Sequence, residues 1–128
     1  RIMALGKIKA DTLEHSTAGS LDTSYVVNGS AKCWADYTTA ASFVLNASLN
    51  VASLTDEGAG DCTINIASDM SSANYSVTSN VLGGLSGGTR IFQNAAKAAG
   101  TYRQLSTSAG NTAGDIGNSY ATIHGDLA

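Results

Sequence analysis

The sequence predicts an all-β fold, a sandwich or barrel-like jelly roll of short antiparallel strands, and three observations carry that expectation. Apolar and polar residues alternate with a period of two along several segments, while the 3.6-residue period of an amphipathic helix is almost absent. Clusters of Gly, Asn and Asp separate those segments, as turns between strands require. Only 13% of residues are charged and 6% aromatic, so the bulky apolar material for a core is scarce. A thin core in a chain of 128 residues points to neighbouring subunits that supply the rest of the packing.

From the N-terminus, Ile8, Ala10 and Thr12 alternate with Lys9, Asp11 and Leu13, an extended start. The HSTAGS stretch at 15–20 is too polar to make a core of its own. Residues 1–27 therefore read as an extended attachment or oligomerisation arm, and residues 28–128 as the β domain. Over 31–37, Ala31, Cys33, Ala35 and Tyr37 share one face, and Lys32, Trp34 and Asp36 the other. Strands are expected next at 43–46 and 49–54. Cys62, Ile64 and Ile66 alternate with Thr63 and Asn65 in a strand at 62–67, and Tyr75 and Val77 oppose Ser76 and Thr78 at 74–79.

The TDEGAGD stretch at 55–61 reads as a hairpin connection: its glycines supply positive φ and its Asp side chains bond local amides. Three nearby carboxylates raise a calcium loop as the sharper alternative, but the alternating D-x-D-x-D-G ligands and the distal Glu are missing. Residues 83–89, GGLSGGT, form a loop without the spacing that cradles phosphate. Strands follow at 90–92 and 101–106, with 93–99 the one place for a short helical turn. Residues 107–118 make a second Gly-rich loop, and alternation returns in a terminal strand at 119–124.

A net charge of −3 and a pI near 5.0 argue against nucleic-acid binding, which needs a basic stripe. Lys7, Lys9, Lys32, Arg90, Lys97 and Arg103 are instead scattered among neutral residues. No apolar run approaches the ~18 residues of a spanning helix, and no signal-peptide pattern opens the chain, so a soluble protein without membrane insertion is expected. Met3 reads as a natural start, which would make this a complete short product.

Cys33 and Cys62 are too few for a disulfide framework. Free buried thiols acting as small hydrophobes are the expectation, with a bridge or a metal or catalytic role as alternatives. His15 and His124 lie at opposite ends, and no nucleophile–base or metal-ligand motif accompanies them. The sequence thus predicts no catalytic residues, no cofactor and no metal; a glycosidase-like use of Asp56, Glu57 and Asp61 is the enzymatic alternative. Trp34, the single tryptophan, is expected to pack in the core or at a subunit interface, with stacking on sugar rings as the other reading.

Residues 28–77, NGSAKCWADYTTAASFVLNASLNVASLTDEGAGDCTINIASDMSSANYSV, carry an ordered series of motifs. They run N-G-S-A-K-x-W-x-x-Y, then S-L-N-V-x-S-L-T-D-x-G-x-G-D-x-T-I-N-I, a Met, and A-N-Y-x-V. This series resembles a domain of tail-fibre and other surface-appendage proteins of marine tailed bacteriophages. The resemblance implies a virion structural protein, a homotrimeric short tail-fibre or tail-appendage subunit that touches the host. It further implies that the arm, through Leu5, Ile8 and Leu13, attaches the subunit to other virion proteins. The two Gly-rich loops, through Leu85, Ser86, Thr89, Asn111 and Asp115, would then face the host and a surface glycan. A capsid decoration or cement protein is the alternative within the same class, and a free carbohydrate-binding module the alternative from another.

Overall fold

A computed structural model describes residues 9–40, 42–82, 90–108 and 112–128. Its contacts divide the chain into two units, Arg1–Ser30 and Ala31–Ala128.

In the first unit, strands β1 (Thr12–His15) and β2 (Gly19–Asp22) form an antiparallel hairpin. The polar stretch at 15–20 makes its turn: His15 Nδ1 accepts the amides of Thr17 and Ala18 at 3.3 and 3.1 Å, and Gly19 takes φ +91°. Helix α1 (Thr23–Gly29) follows at once, capped by Asp22, whose carboxylate accepts the Ser24 amide at 3.0 Å. Thr23 ties the helix start back to the hairpin through the carbonyls of Ala10 and Asp11. Over the described residues the expected extended arm is therefore a hairpin followed by a short helix. The alternation that suggested an extended chain stops where the turn reverses it. No side chain of β1, β2 or α1 is buried.

The second unit is built from two four-stranded antiparallel sheets. The first has the order β4-β3-β10-β7, from β3 (Ala31–Thr38), β4 (Val44–Leu49), β7 (Ser76–Leu82) and β10 (Asn118–His124). The second has the order β5-β6-β9-β8, from β5 (Val51–Gly58), β6 (Asp61–Ile66), β8 (Arg90–Ala98) and β9 (Thr101–Ser108). Three successive pairs, β3–β4, β5–β6 and β8–β9, are hairpins kept within one sheet. This unit is thus a two-layer sandwich; the jelly-roll form, whose strands pass alternately between the sheets, is not the one adopted.

The inward faces are those the alternation marks. Cys33, Ala35 and Tyr37 from β3, with Ala121 and Ile123 from β10, meet Cys62, Ile64 and Ile66 from β6 and Tyr102 from β9. Met70 and Tyr75, on the β6–β7 connection, join the same cluster. Full burial of an isoleucine such as Ile64 or Ile123 contributes about 1.5–3 kcal/mol, so this short list supplies most of the driving force. Tyr75 also fastens the two sheets, its hydroxyl donating to the carbonyls of Ala98 and Thr101 at 3.1 and 2.7 Å.

The helical turn expected at 93–99 is not formed: β8 runs through Ala98 and pairs with β9 along its length, with a register shift between Asn94 and Ala96. The helix preference of the alanines yields there to cross-strand pairing. The 55–61 connection is tighter than its seven residues suggest, because β5 continues to Gly58 and β6 starts at Asp61. Likewise the 107–118 stretch is not all loop, since Thr107 and Ser108 belong to β9 and Asn118 opens β10.

Candidate functional site

Two places on the sandwich gather chemistry-bearing groups: a hollow at one end, and the outer face of the β4-β3-β10-β7 sheet.

The end hollow, of about 190 Å³, is lined by Thr39, Ser42, Phe43, Asp56, Gly58, Ala59 and Asp115. The 112–117 segment contributes Asp115 to its wall and is held through Gly114, Asp115 and Ile116. Thr39 and Ile116 exchange hydrogen bonds, Thr39 N to Ile116 O at 3.2 Å and Ile116 N to Thr39 Oγ1 at 3.0 Å, and Ile116 is buried. Ser106 Oγ donates to the Gly114 carbonyl at 2.6 Å, and Ser106 N to the Gly60 carbonyl at 2.8 Å. Asp115 Oδ1 accepts the Gly60 amide at 2.6 Å. Gly60 holds φ +67°, and a Cβ there would overlap the Gly114 carbonyl, so the β5–β6 turn and this wall lie backbone against backbone.

The three carboxylates of the 55–61 stretch turn to separate partners. Asp56 Oδ1 accepts the Gly58 amide at 2.9 Å, and Glu57 Oε1 the Thr63 hydroxyl at 2.8 Å. Asp61 forms a two-pronged ion pair with Arg103, at 2.9 and 2.7 Å. Among the described residues no group of three or more His, Cys, Asp or Glu side chains is placed to hold a metal ion.

Both cysteines are free and buried, one in each sheet. Burial pushes the Cys33 thiol up to about 11. It pushes Cys62 to about 12, with the nearby carboxylates of Asp56, Asp61 and Glu57 adding to the rise. These thiols stay protonated, the state of small hydrophobes rather than nucleophiles. Tyr37 and Tyr102 are raised by the same desolvation. Ser119 approaches the Tyr37 phenol closely enough to offset part of that rise, yet its hydroxyl and both polar atoms of the Gln104 amide are buried without a hydrogen bond of ordinary geometry.

On the outer face stands Trp34, 37% exposed, flanked across the register by Leu49 on β4 and Thr122 on β10. Of the two places expected for it, the core or a subunit interface, the core is corrected: the inward positions of β3 belong to Cys33, Ala35 and Tyr37, and parity puts Trp34 outside. In the next row Asp36 opposes Tyr120, and Asn46 Nδ2 donates to Asp36 Oδ1 at 3.1 Å. Leu49 was not singled out from the sequence, and Tyr120 only as one of the aromatic residues that could stack on sugar rings. Their parity was visible, but only Leu49 reaches Trp34 through a local hairpin, whereas the pairing of β10 with β3 that brings Tyr120 joins residues more than eighty positions apart.

Of the residues expected to act, Leu13 lies on β1 and is 49% exposed. Asp115 is half-buried in the wall of the hollow. Leu5, Ile8, Leu85, Ser86, Thr89 and Asn111 lie outside the described residues. No helix among the described residues is long and apolar enough to cross a membrane.

Fold and site together define an all-β sandwich of two four-stranded antiparallel sheets. No protein-family model, curated protein or solved structure matches the chain.

Proposed function

We propose that the chain is a structural protein of a tailed-bacteriophage virion, a short tail-fibre or tail-appendage subunit that assembles as a homotrimer and contacts the host surface. The reading rests on the motif series over 28–77. The observation that supports it best is in the first unit: its hairpin and helix bury no side chain, yet they carry Leu13, Leu21, Tyr25 and Val26 in the open. An isolated two-stranded hairpin is marginal in water, so such a unit suits an arm that completes its fold on other chains of the particle.

Imaging and peptide mass spectrometry of purified phage particles test the reading. The chain should be a particle component located on the tail; particles that lack it would overturn the proposal. Deletion of residues 4–20 should prevent incorporation while the sandwich still folds. A second location, the capsid surface, is favoured by the pinned 112–117 wall, which presents a fixed rather than an adaptable end. The same images decide between tail and capsid.

A further inference from the structure

We propose that the outer face of the β4-β3-β10-β7 sheet is a binding platform for a neutral polysaccharide, with Trp34 and Tyr120 as its stacking surfaces. This deepens the host-contact reading by naming a ligand class and moving the contact from the loops to a sheet face. It rests on that reading only for the biological source of the glycan.

The starting point is a misallocation that stability alone would not select. The core is thin, and its interior holds Gln104 and Ser119 with unpartnered polar atoms. The largest apolar side chain of the protein nevertheless stands outside, 37% exposed. Leu49, exposed beside it on β4, makes the apolar surface a patch rather than a single side chain, and exposed patches mark interaction sites.

Register gives the face its layout. One row across the sheet reads Leu49, Trp34, Thr122, Thr78, and the row beside it reads Ala47, Asp36, Tyr120, Asn80. Trp34 and Tyr120 are diagonal neighbours on adjacent strands, about 7–8 Å apart at the backbone. Both residues thus belong to the outward set of adjacent strands, Trp34 exposed and Tyr120 half-buried, in rows that also hold the hydroxyls of Thr78 and Thr122, the Asn80 amide and the Asp36 carboxylate. Flat aromatic surfaces take the apolar face of a sugar ring, and polar groups at their rim exchange hydrogen bonds with its hydroxyls.

A protein partner fits this face less well. A stable interface needs about 800 Å² from each side around a core depleted of polar groups, whereas here every row across the sheet mixes apolar and polar side chains. Charge settles the type of polymer. The charged side chains that alternation places on this face are Lys32 and Asp36, of opposite sign, so the face has no net attraction for an acidic chain.

Trp34 is the sole tryptophan, so its fluorescence reports on the proposed site without a label. The purified full-length chain is titrated with laminarin, dextran and agarose oligosaccharides as neutral probes and with alginate as an acidic one. A saturable change in Trp34 emission with at least one neutral probe is expected. In pull-down on the same polysaccharide, Trp34→Ala should weaken binding at least tenfold, the ratio that ~1.4 kcal/mol of lost contact produces. Tyr120→Ala should weaken it by a smaller factor, and circular dichroism should show both variants folded. Absence of binding to every neutral probe, binding to alginate alone, or binding that survives both substitutions would overturn the proposal. A native mass that drops in Trp34→Ala would overturn it too, because the face would then be a contact between copies. These outcomes are independent of whether the chain is found in phage particles, so each proposal can fail alone.

Discussion

Asn50 and Ser68 are joined by a reciprocal pair of hydrogen bonds: Asn50 Nδ2 donates to the Ser68 carbonyl at 3.0 Å, and the Ser68 amide donates to Asn50 Oδ1 at 2.7 Å. Asn50 is the single residue between β4 and β5, where the chain leaves one sheet for the other. It does so with φ +58°, the left-handed conformation that Asn tolerates better than most residues. Its carbonyl also accepts the Ala67 amide at 3.1 Å. One side chain thus sets the crossing and ties it to the end of β6.

Asn50→Gly should lower unfolding stability by about 1 kcal/mol, because the conformation is kept and the side-chain bonds are lost. Asn50→Ala loses the bonds and adds backbone strain, and should cost about 2 kcal/mol or more. Urea unfolding of both variants checks the order. Equal losses would mean that the positive φ contributes nothing.

The strands and their faces were legible because a sandwich with one solvated face per sheet imposes period two on each strand. Cys33, Ala35 and Tyr37 show it, as do Cys62, Ile64 and Ile66. The β8 strand was legible only at its start, 90–92, since its NAAKA run has little β-branching and gains its conformation from β9. Helix α1 was marked only by the Asp22 cap, a signal too short to outweigh Tyr25, Val26 and Val27. The candidate site was half legible. Trp34 stood out as the one tryptophan, but Tyr120 and Thr122 are brought beside it by the long-range pairing of β3 with β10.

Stability should fall as the solution turns alkaline. Cys33 rises from 9.0 to about 11, Cys62 from 9.0 to about 12 and Tyr75 from 10.0 to about 12, chiefly through burial. Between its unfolded and folded values each group keeps its proton only in the folded state, so the unfolded state binds fewer protons and stability declines with pH. The contribution is full below about pH 9 and is lost progressively between 9 and 12. Thermal melts across that range should show the decline. Cys33→Ala with Cys62→Ala should remove its earliest part, whereas an unchanged onset would place the cause elsewhere.

Gly60→Ala should be among the most damaging single substitutions. A Cβ would meet the Gly114 backbone, which cannot yield without breaking the Ser106 and Asp115 hydrogen bonds of the wall, and φ +67° disfavours any L side chain. A loss of about 3 kcal/mol is expected from overpacking together with backbone strain. Gly117→Ala, where a Cβ meets nothing within 4 Å, is the control and should lie within about 0.5 kcal/mol of the parent. Denaturant unfolding of the two variants separates the effects.

Gln104 offers a gain. Its side chain is 1% exposed, and neither amide atom has a partner, so the fold carries the desolvation of a polar group without the bond that would offset it. Gln104→Met keeps the length and volume and removes the polar atoms, so it should raise stability by about 1 kcal/mol. Gln104→Ala removes the same polar atoms but leaves a cavity, and should lower stability by about 1–2 kcal/mol. Opposite signs for the two variants identify the orphaned amide as the cause. A Gln104→Met variant less stable than the parent would overturn this account, because the amide would then contribute more to the fold than its desolvation costs.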